Sequence, residues 1–265
     1  MKRNKFYYIF LAMFCMNIFL TQGQEVRIHS HNDYERRFPF YEAYGQLLSS
    51  VETDIYATAV QGELLVSHGH PSPTSPTIDE AYLQPILSLF KLNNGKAWRK
   101  SEKILYWLID LKTDANPTLD YLIEKLRPYP EVFDTVVNPY AVRVIISGSV
   151  PKAERFGDYP SFITFDGSRL DYTPKQLERI GLISFNVRNY TKWDGQEPIS
   201  DSDYQKLSEV INAAHALGKP IRFWGTPDGE RSWNTFHTLG VDVINTDTPA
   251  ACAAYFRKFI PTYCP

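Results

Sequence analysis

Histidines surround a closely spaced pair of acidic residues near the start of the chain. His29 and His31 precede Glu52 and Asp54, and His68 follows them. Imidazole titrates near neutral pH, so two histidines can remove and donate protons around one reacting group. The arrangement predicts an acid–base site in which His31 and His68 are the catalytic pair.

The acidic residues indicate a metal site. Glu52 and Asp54 are two positions apart in an apolar, β-branched segment, so on a strand both side chains point to one face. Two buried carboxylates repel each other and lose hydration unless a cation joins them. Asp110 can add a third oxygen, and oxygen ligands suit a divalent Ca²⁺ or Mg²⁺. The alternative is that one carboxylate faces solvent or pairs with Lys112.

Short β-branched segments alternate with longer segments of helical periodicity along the chain. Eight strands are predicted, at Val26–His31, Ser50–Ala57, Ile104–Lys112, Val142–Ser147, Phe162–Asp166, Leu182–Val187, Ile221–Gly225 and Val241–Thr246. The second strand is expected to extend into a hairpin that turns at Gln61-Gly62 and returns through Leu64–Ser67 to His68.

Eight helices are predicted after these strands, at Tyr41–Leu48, Ile78–Leu92, Thr118–Leu126, Pro151–Arg155, Pro174–Ile180, Asp201–Leu217, Ser232–Leu239 and Pro249–Phe259. This alternation predicts the α/β class and a single (β/α)8 TIM barrel, with a doubly wound open sheet as the alternative. Functional groups of such barrels lie at the carboxyl ends of the strands. Substrate contacts are therefore expected from His29, Asn32, Lys112, Trp224, Asn245 and Asp247.

Residues 1–23 have the layout of a secretory signal peptide. Lys2, Arg3 and Lys5 precede an apolar run, Phe6–Leu20, and small residues follow it. The run has about 15 residues, whereas a membrane-spanning helix needs roughly 20. We therefore expect a cleaved signal peptide, export to the periplasm or the exterior, and a barrel over residues 24–265. A membrane anchor and a lipoprotein are the alternatives.

Charge and cysteine content limit the choice of partners. The chain has 28 basic and 30 acidic residues, a formal net charge of −2, and no basic stripe. This balance argues against nucleic acid as a partner. After removal of a signal peptide, Cys252 and Cys264 would either pair in an oxidising compartment or stay reduced. No feature of the sequence assigns an oligomeric state.

Several segments, in this order and spacing, resemble the superfamily of glycerophosphodiester phosphodiesterases and phosphatidylinositol-specific phospholipases C. These segments are His29–Tyr34, Ser50–Ile55, Gly62–His68, Leu108–Lys112, Arg222–Asp228 and Gly240–Asp247. The His-Asn-Asp-Tyr form of the first segment is most similar to the subgroup named for altered inheritance of mitochondria.

The resemblance implies a (β/α)8 barrel, calcium or magnesium, and cleavage of a small-molecule or lipid-headgroup phosphodiester. It implies catalytic roles for His31 and His68 and metal-ligand roles for Glu52, Asp54 and Asp110.

The chain departs from the superfamily pattern at two points. The usual His-Arg-Gly is replaced by His31-Asn32-Asp33, so a phosphate-binding arginine is missing there, and Arg36, Arg37 or Lys112 are candidates to substitute. The loop before Glu52 is also shorter than in glycerophosphodiesterases proper, which leaves the substrate class open.

Two alternatives to this function, and one choice between histidines, remain. Either His29 or His31 is the first catalytic histidine, and His31 is preferred because it lies nearer the strand end. A zinc metallohydrolase using the His29-x-His31 pair is one alternative function, although no further histidines end the later strands. A non-catalytic binding barrel is the other, because fold alone does not establish chemistry.

Overall fold

Eight parallel strands form a closed barrel in the computed structural model of the protein, which describes residues 26–259. The described residues contain nine strands in all, which are β1 (Arg27–Ser30), β2 (Ser50–Ala57), β3 (Leu64–Val66), β4 (Tyr106–Leu111), β5 (Arg143–Gly148), β6 (Ile163–Gly167), β7 (Ile180–Asn186), β8 (Ile221–Trp224) and β9 (Val243–Thr246). All except β3 belong to the barrel, in chain order. Because β1 pairs with both β2 and β9, the ring closes, and the predicted barrel is confirmed over the open sheet.

Helices cover the outside of the barrel. They are α1 (Tyr41–Gly45), α2 (Gln84–Leu92), α3 (Ala115–Leu126), α4 (Pro130–Phe133), α5 (Pro174–Leu177), α6 (Asp201–Ala216), α7 (Glu230–Leu239) and α8 (Pro249–Phe259). A π-helical turn at Asp79–Leu83 precedes α2, and short 3-10 segments lie at Asp33–Glu35, Ala153–Asp158 and Val187–Asn189.

Alternation along the strands separates two apolar regions. Outward-facing residues such as Trp107 and Ile109 belong to the large core shared with the helices. Leu108, Ile145 and Leu182, from three different strands, form a separate small core inside the barrel. Two positions further along these strands, the inward positions become polar, with Asp110, Ser147 and Ser184. The apolar interior layer therefore supports a polar layer at the carboxyl end of the barrel.

The hairpin predicted after the second strand is confirmed. Strand β3 pairs antiparallel with β2, with Ile55 opposite Val66. Gly62 has a φ of 78°, which suits a residue without a Cβ in the turn.

One predicted helix is wrong. The α-helix predicted at Pro151–Arg155 is absent from the described structure, and a 3-10 segment forms at Ala153–Asp158 instead. A second helix, α5, ends at Leu177 rather than at Ile180, because Ile180 already begins β7. The short helix α4 was not predicted. Each difference concerns an element of four to six residues, over which periodicity carries little information.

Several sequence predictions concern residues beyond the described range. The predicted signal peptide lies outside it, as does Cys264, while Cys252 is fully buried. Among residues 26–259, no helix combines the length and apolarity that crossing a bilayer requires.

Candidate active site

The loop after β1 is anchored by a buried aspartate. Asp33 is fully buried and accepts hydrogen bonds from Ser30 Oγ at 2.8 Å and from the Phe40 N–H at 2.6 Å. The Tyr82 hydroxyl donates a third at 2.9 Å. Burial raises the pKa of Asp33, although these hydrogen bonds oppose the shift. The anchor fixes the loop so that Asn32, with a φ of 47°, lines the cavity at the carboxyl end of the barrel.

Three carboxylates converge at this end of the barrel. Glu52, Asp54 and Asp110 each place one oxygen within 4.8 Å of the others. Asp54 and Asp110 lie opposite each other in the register of β2 and β4. Asp54 Oδ1 is buried and has no hydrogen-bond partner among the described residues. A buried carboxylate oxygen without a donor is costly, and a hard divalent cation would satisfy it.

Lys112 and Tyr34 hold the other oxygen of Asp54. Lys112 Nζ lies 3.0 Å from Asp54 Oδ2 and 3.0 Å from Asp110 Oδ1, while the Tyr34 hydroxyl donates to Asp54 Oδ2 at 2.7 Å. Burial raises the pKa of Asp54, and the contacts with Tyr34 and Lys112 oppose that shift. Ser147 Oγ donates to Asp110 Oδ2 at 3.1 Å. Lys112 therefore pairs with both aspartates, as the alternative interpretation of the sequence allowed, and Asp54 Oδ1 is left for another ligand.

Glu52 is oriented by His29 and by the guanidinium of Arg222, a residue of β8. Its Oε2 lies 2.7 Å from His29 Nε2 and 3.0 Å from Arg222 Nη1. Burial alone would raise the pKa of Glu52, but the His29 hydrogen bond and the Arg222 charge outweigh it and lower the pKa. Burial, with the nearby Arg222 charge, lowers the pKa of His29 to about 4. His29 is therefore a neutral hydrogen-bonding residue, and Glu52 keeps its charge.

Arg222 is a site residue that sequence reasoning did not single out. It lines the cavity, and its side chain is only 5% exposed. Its Nε donates to Ser184 Oγ at 3.0 Å, and Nη2 lies 3.4 Å from Asp166 Oδ2. Burial raises the pKa of Asp166 to about 6, and the Arg222 charge opposes the rise. A lone arginine two positions before Trp224 in an apolar strand was the available signal, because that spacing puts both on one face.

The two histidines expected to be catalytic line the same cavity. His31 Nδ1 lies 2.6 Å from Asp247 Oδ1. His68 Nδ1 lies 3.1 Å from the Tyr34 hydroxyl and 3.4 Å from Asp54 Oδ2. In both rings Nδ1 is engaged by the protein, so Nε2 is the nitrogen available to a substrate.

The cavity has a volume of about 400 Å³ and brings together most of the predicted site residues. Those that line it are His31, Asn32, Glu52, His68, Asp110, Lys112 and Trp224. Three predicted substrate contacts lie elsewhere. His29 and Asn245 are buried in the barrel interior beside Arg222, and Asp247 is turned toward His31.

The His29-x-His31 zinc pair is not formed. His29 Nδ1 lies 2.7 Å from Ser50 Oγ, and its Nε2 contacts Glu52, so both ring nitrogens are engaged. His31 is paired with Asp247. Within residues 26–259, the one group able to hold a metal is the carboxylate cluster, and its ligands are all oxygens.

The chain is similar in sequence to known proteins. The family model described as an AIM6-like phosphodiesterase domain matches residues 18–151, half of the chain. The chain belongs to this family. The altered inheritance of mitochondria protein 6 homolog of Arthroderma benhamiae is 25% identical over 87% of this chain and 84% of its own. Altered inheritance of mitochondria protein 6 of Kluyveromyces lactis is 26% identical over 86% of this chain and 72% of its own.

Solved structures share the fold. A glycerophosphodiester phosphodiesterase from Parabacteroides distasonis has a TM-score of 0.59 at 14% identity, over 89% of this chain and 98% of that one. A Ca²⁺-dependent phosphatidylinositol-specific phospholipase C from Streptomyces antibioticus has a TM-score of 0.53 at 11% identity, over 87% of this chain and 96% of that one. The resemblance drawn from the sequence is thus confirmed for the AIM6-like phosphodiesterase family, and the solved structures confirm the barrel fold.

Proposed function

We propose that this protein is a metal-dependent phosphodiesterase that cleaves a glycerophosphodiester- or phospholipid-type phosphodiester by histidine acid–base catalysis. The observation that carries the proposal is that His31 and His68 line the same cavity as Glu52 and Asp110, two members of the carboxylate cluster that Asp54 completes. Membership of a phosphodiesterase family supports the reaction class.

The cluster fits a divalent cation. Glu52, Asp54 and Asp110 would hold Ca²⁺ or Mg²⁺, because all three are hard oxygen ligands and Asp54 Oδ1 lacks any other partner among the described residues. When bound, such an ion neutralises charge that develops on the phosphate oxygens.

The histidines supply the proton transfers. One Nε2 removes a proton from the attacking oxygen, which belongs to water or to a neighbouring substrate hydroxyl, and the other Nε2 protonates the leaving alcohol. The protein holds both rings by their Nδ1 atoms, which leaves each Nε2 free to exchange a proton with the substrate.

Lys112 and Arg222 are the cations that replace the missing arginine of the superfamily. Both side chains line the cavity. Arg36 instead donates to the His31 carbonyl at 3.1 Å, and the Arg37 guanidinium lies over the Phe38 ring, 5.2 Å from its centroid. Positive charge at the cavity wall favours a phosphodiester over a neutral ester or amide.

The test is metal-dependent hydrolysis of bis-p-nitrophenyl phosphate and glycerophosphocholine. We expect a chelator to abolish hydrolysis and Ca²⁺ or Mg²⁺ to restore it. Glu52→Gln should prevent the rescue, whereas Glu124→Gln, at an exposed position of α3, should not. A protein without activity under every condition would be a binding barrel, and stoichiometric zinc lost on His29→Ala would indicate the metallohydrolase alternative.

A further inference from the structure

The Tyr34 hydroxyl contacts both the carboxylate cluster and one of the two cavity histidines. It lies 2.7 Å from Asp54 Oδ2, in the carboxylate cluster, and 3.1 Å from His68 Nδ1. Asn32 Oδ1 is a third neighbour at 3.0 Å. The mechanism above uses Asp54 and His68 but gives Tyr34 no role.

We propose that Tyr34 is a positioning residue for His68. Its hydroxyl donates to Asp54 and accepts from His68 Nδ1, which orients the His68 ring and keeps the ring proton on Nδ1. The inference rests on the proposed phosphodiesterase function for its catalytic consequence, and on the geometry alone for the contact.

The direction of these hydrogen bonds follows from counting protons. A tyrosine hydroxyl has one hydrogen to donate, and an ionised carboxylate can only accept. The short contact with Asp54 therefore takes the hydrogen, and the longer contact with Asn32 at most shares it. The Tyr34 oxygen must then accept from His68, which requires the proton of the neutral ring to be on Nδ1.

Nothing else in the described structure holds the His68 ring as closely. Its side chain is 65% exposed, and Asp54 Oδ2 lies further away, at 3.4 Å. Tyr34, by contrast, is partly buried and packs against the hydrophobic core. A partner on Nδ1 determines which nitrogen carries the proton, so losing the hydroxyl makes both tautomers accessible and frees the ring.

Two single-hydroxyl deletions separate this role from general packing. Tyr34→Phe keeps the ring and removes the contact with His68 Nδ1. Tyr56→Phe is the matched control, because the Tyr56 hydroxyl also contacts His68, but at its main-chain oxygen, 3.3 Å away. We expect Tyr34→Phe to lower kcat by about tenfold or more with little change in KM, since misorientation acts on the chemical step. Tyr56→Phe should keep kcat close to that of the wild type.

Nitrogen NMR of ¹⁵N-histidine-labelled protein tests the contact without any substrate. At a pH where the ring is neutral, wild-type His68 should show a protonated Nδ1 and an unprotonated Nε2, assigned by the signals missing from His68→Gln. Tyr34→Phe should shift this ring toward the Nε2-protonated form, and Tyr56→Phe should not.

The two hypotheses fail separately. A wild-type His68 protonated on Nε2, or an unchanged tautomer in Tyr34→Phe, would overturn the role of Tyr34 whatever the activity, as would an unchanged kcat. A wild type that hydrolyses no phosphodiester would end the proposed function, while the tautomer measurement would still decide the contact.

Discussion

His31 Nδ1 and Asp247 Oδ1 lie 2.6 Å apart, although 216 residues separate them in the chain. The contact joins the end of the first barrel strand to the end of the last, which are neighbours only because the ring closes. Asp247 is itself held by its N–H, which donates to Asp228 Oδ2 at 2.9 Å. The sequence suggested Asp247 as a substrate contact, whereas its place beside His31 indicates that it orients that ring.

Replacing Asp247 should therefore impair turnover rather than binding. We expect Asp247→Ala to lower kcat by about tenfold or more and to leave KM nearly unchanged, because the His31 ring loses its orienting acceptor. Asp242→Ala is the control. Asp242 forms a similar pair with His215, whose Nε2 lies 2.8 Å from Asp242 Oδ2, and neither residue lines the cavity. A raised KM with unchanged kcat would instead place Asp247 against the substrate.

The two cavity histidines should matter for chemistry and little for folding. We expect His31→Ala and His68→Ala each to lower turnover by roughly a hundredfold or more. The thermal unfolding midpoint should change little, because the His31 and His68 side chains are 27% and 65% exposed. His215→Ala, which removes another aspartate-paired histidine, serves as the control. Near wild-type hydrolysis by both cavity variants would contradict the assignment.

Export is the prediction that concerns residues outside the described range. The basic start, the apolar run and the small residues that follow predict a mature N-terminus near Gln24. N-terminal sequencing of protein recovered from the exported fraction should find it. An intact Met1 on protein retained in the cytoplasm would contradict this expectation.

The barrel was predictable because its signals are local. Along Ser50–Ile55, every second residue is β-branched, and the two-residue spacing puts Glu52 and Asp54 together on the opposite face. In a barrel whose outer face packs against helices, that face is the inner one. The antiparallel return of β3 was equally visible, since Gly62 marks the turn. The connection after β5 was not, because a segment of only a few helical residues does not distinguish an α-helix from a 3-10 segment.

The interior of the site was harder to predict because its contacts are distant in sequence. Arg222 contacts Glu52 from 170 residues away and Asp166 from 56 residues away. Without that guanidinium, neither the burial of His29 nor the charge of Glu52 could be inferred. His29 therefore looked like a substrate contact, and Arg222 looked like part of an ordinary strand.

Ionisation of Asp166 should lower the free energy of unfolding as pH rises. Burial raises its pKa to about 6 from 3.8, so the native state holds a proton that the unfolded chain loses between those values. This contribution is complete below pH 3.8 and is lost as pH rises through about 6. Relative to Asp166→Asn, which stays neutral, the wild-type free energy of unfolding should fall by about 2 kcal/mol between pH 4 and 7. Urea titrations across this range measure it, with Asp171→Asn, 77% exposed, as the control. Parallel pH curves for wild type and Asp166→Asn would show that folding does not raise the pKa of Asp166.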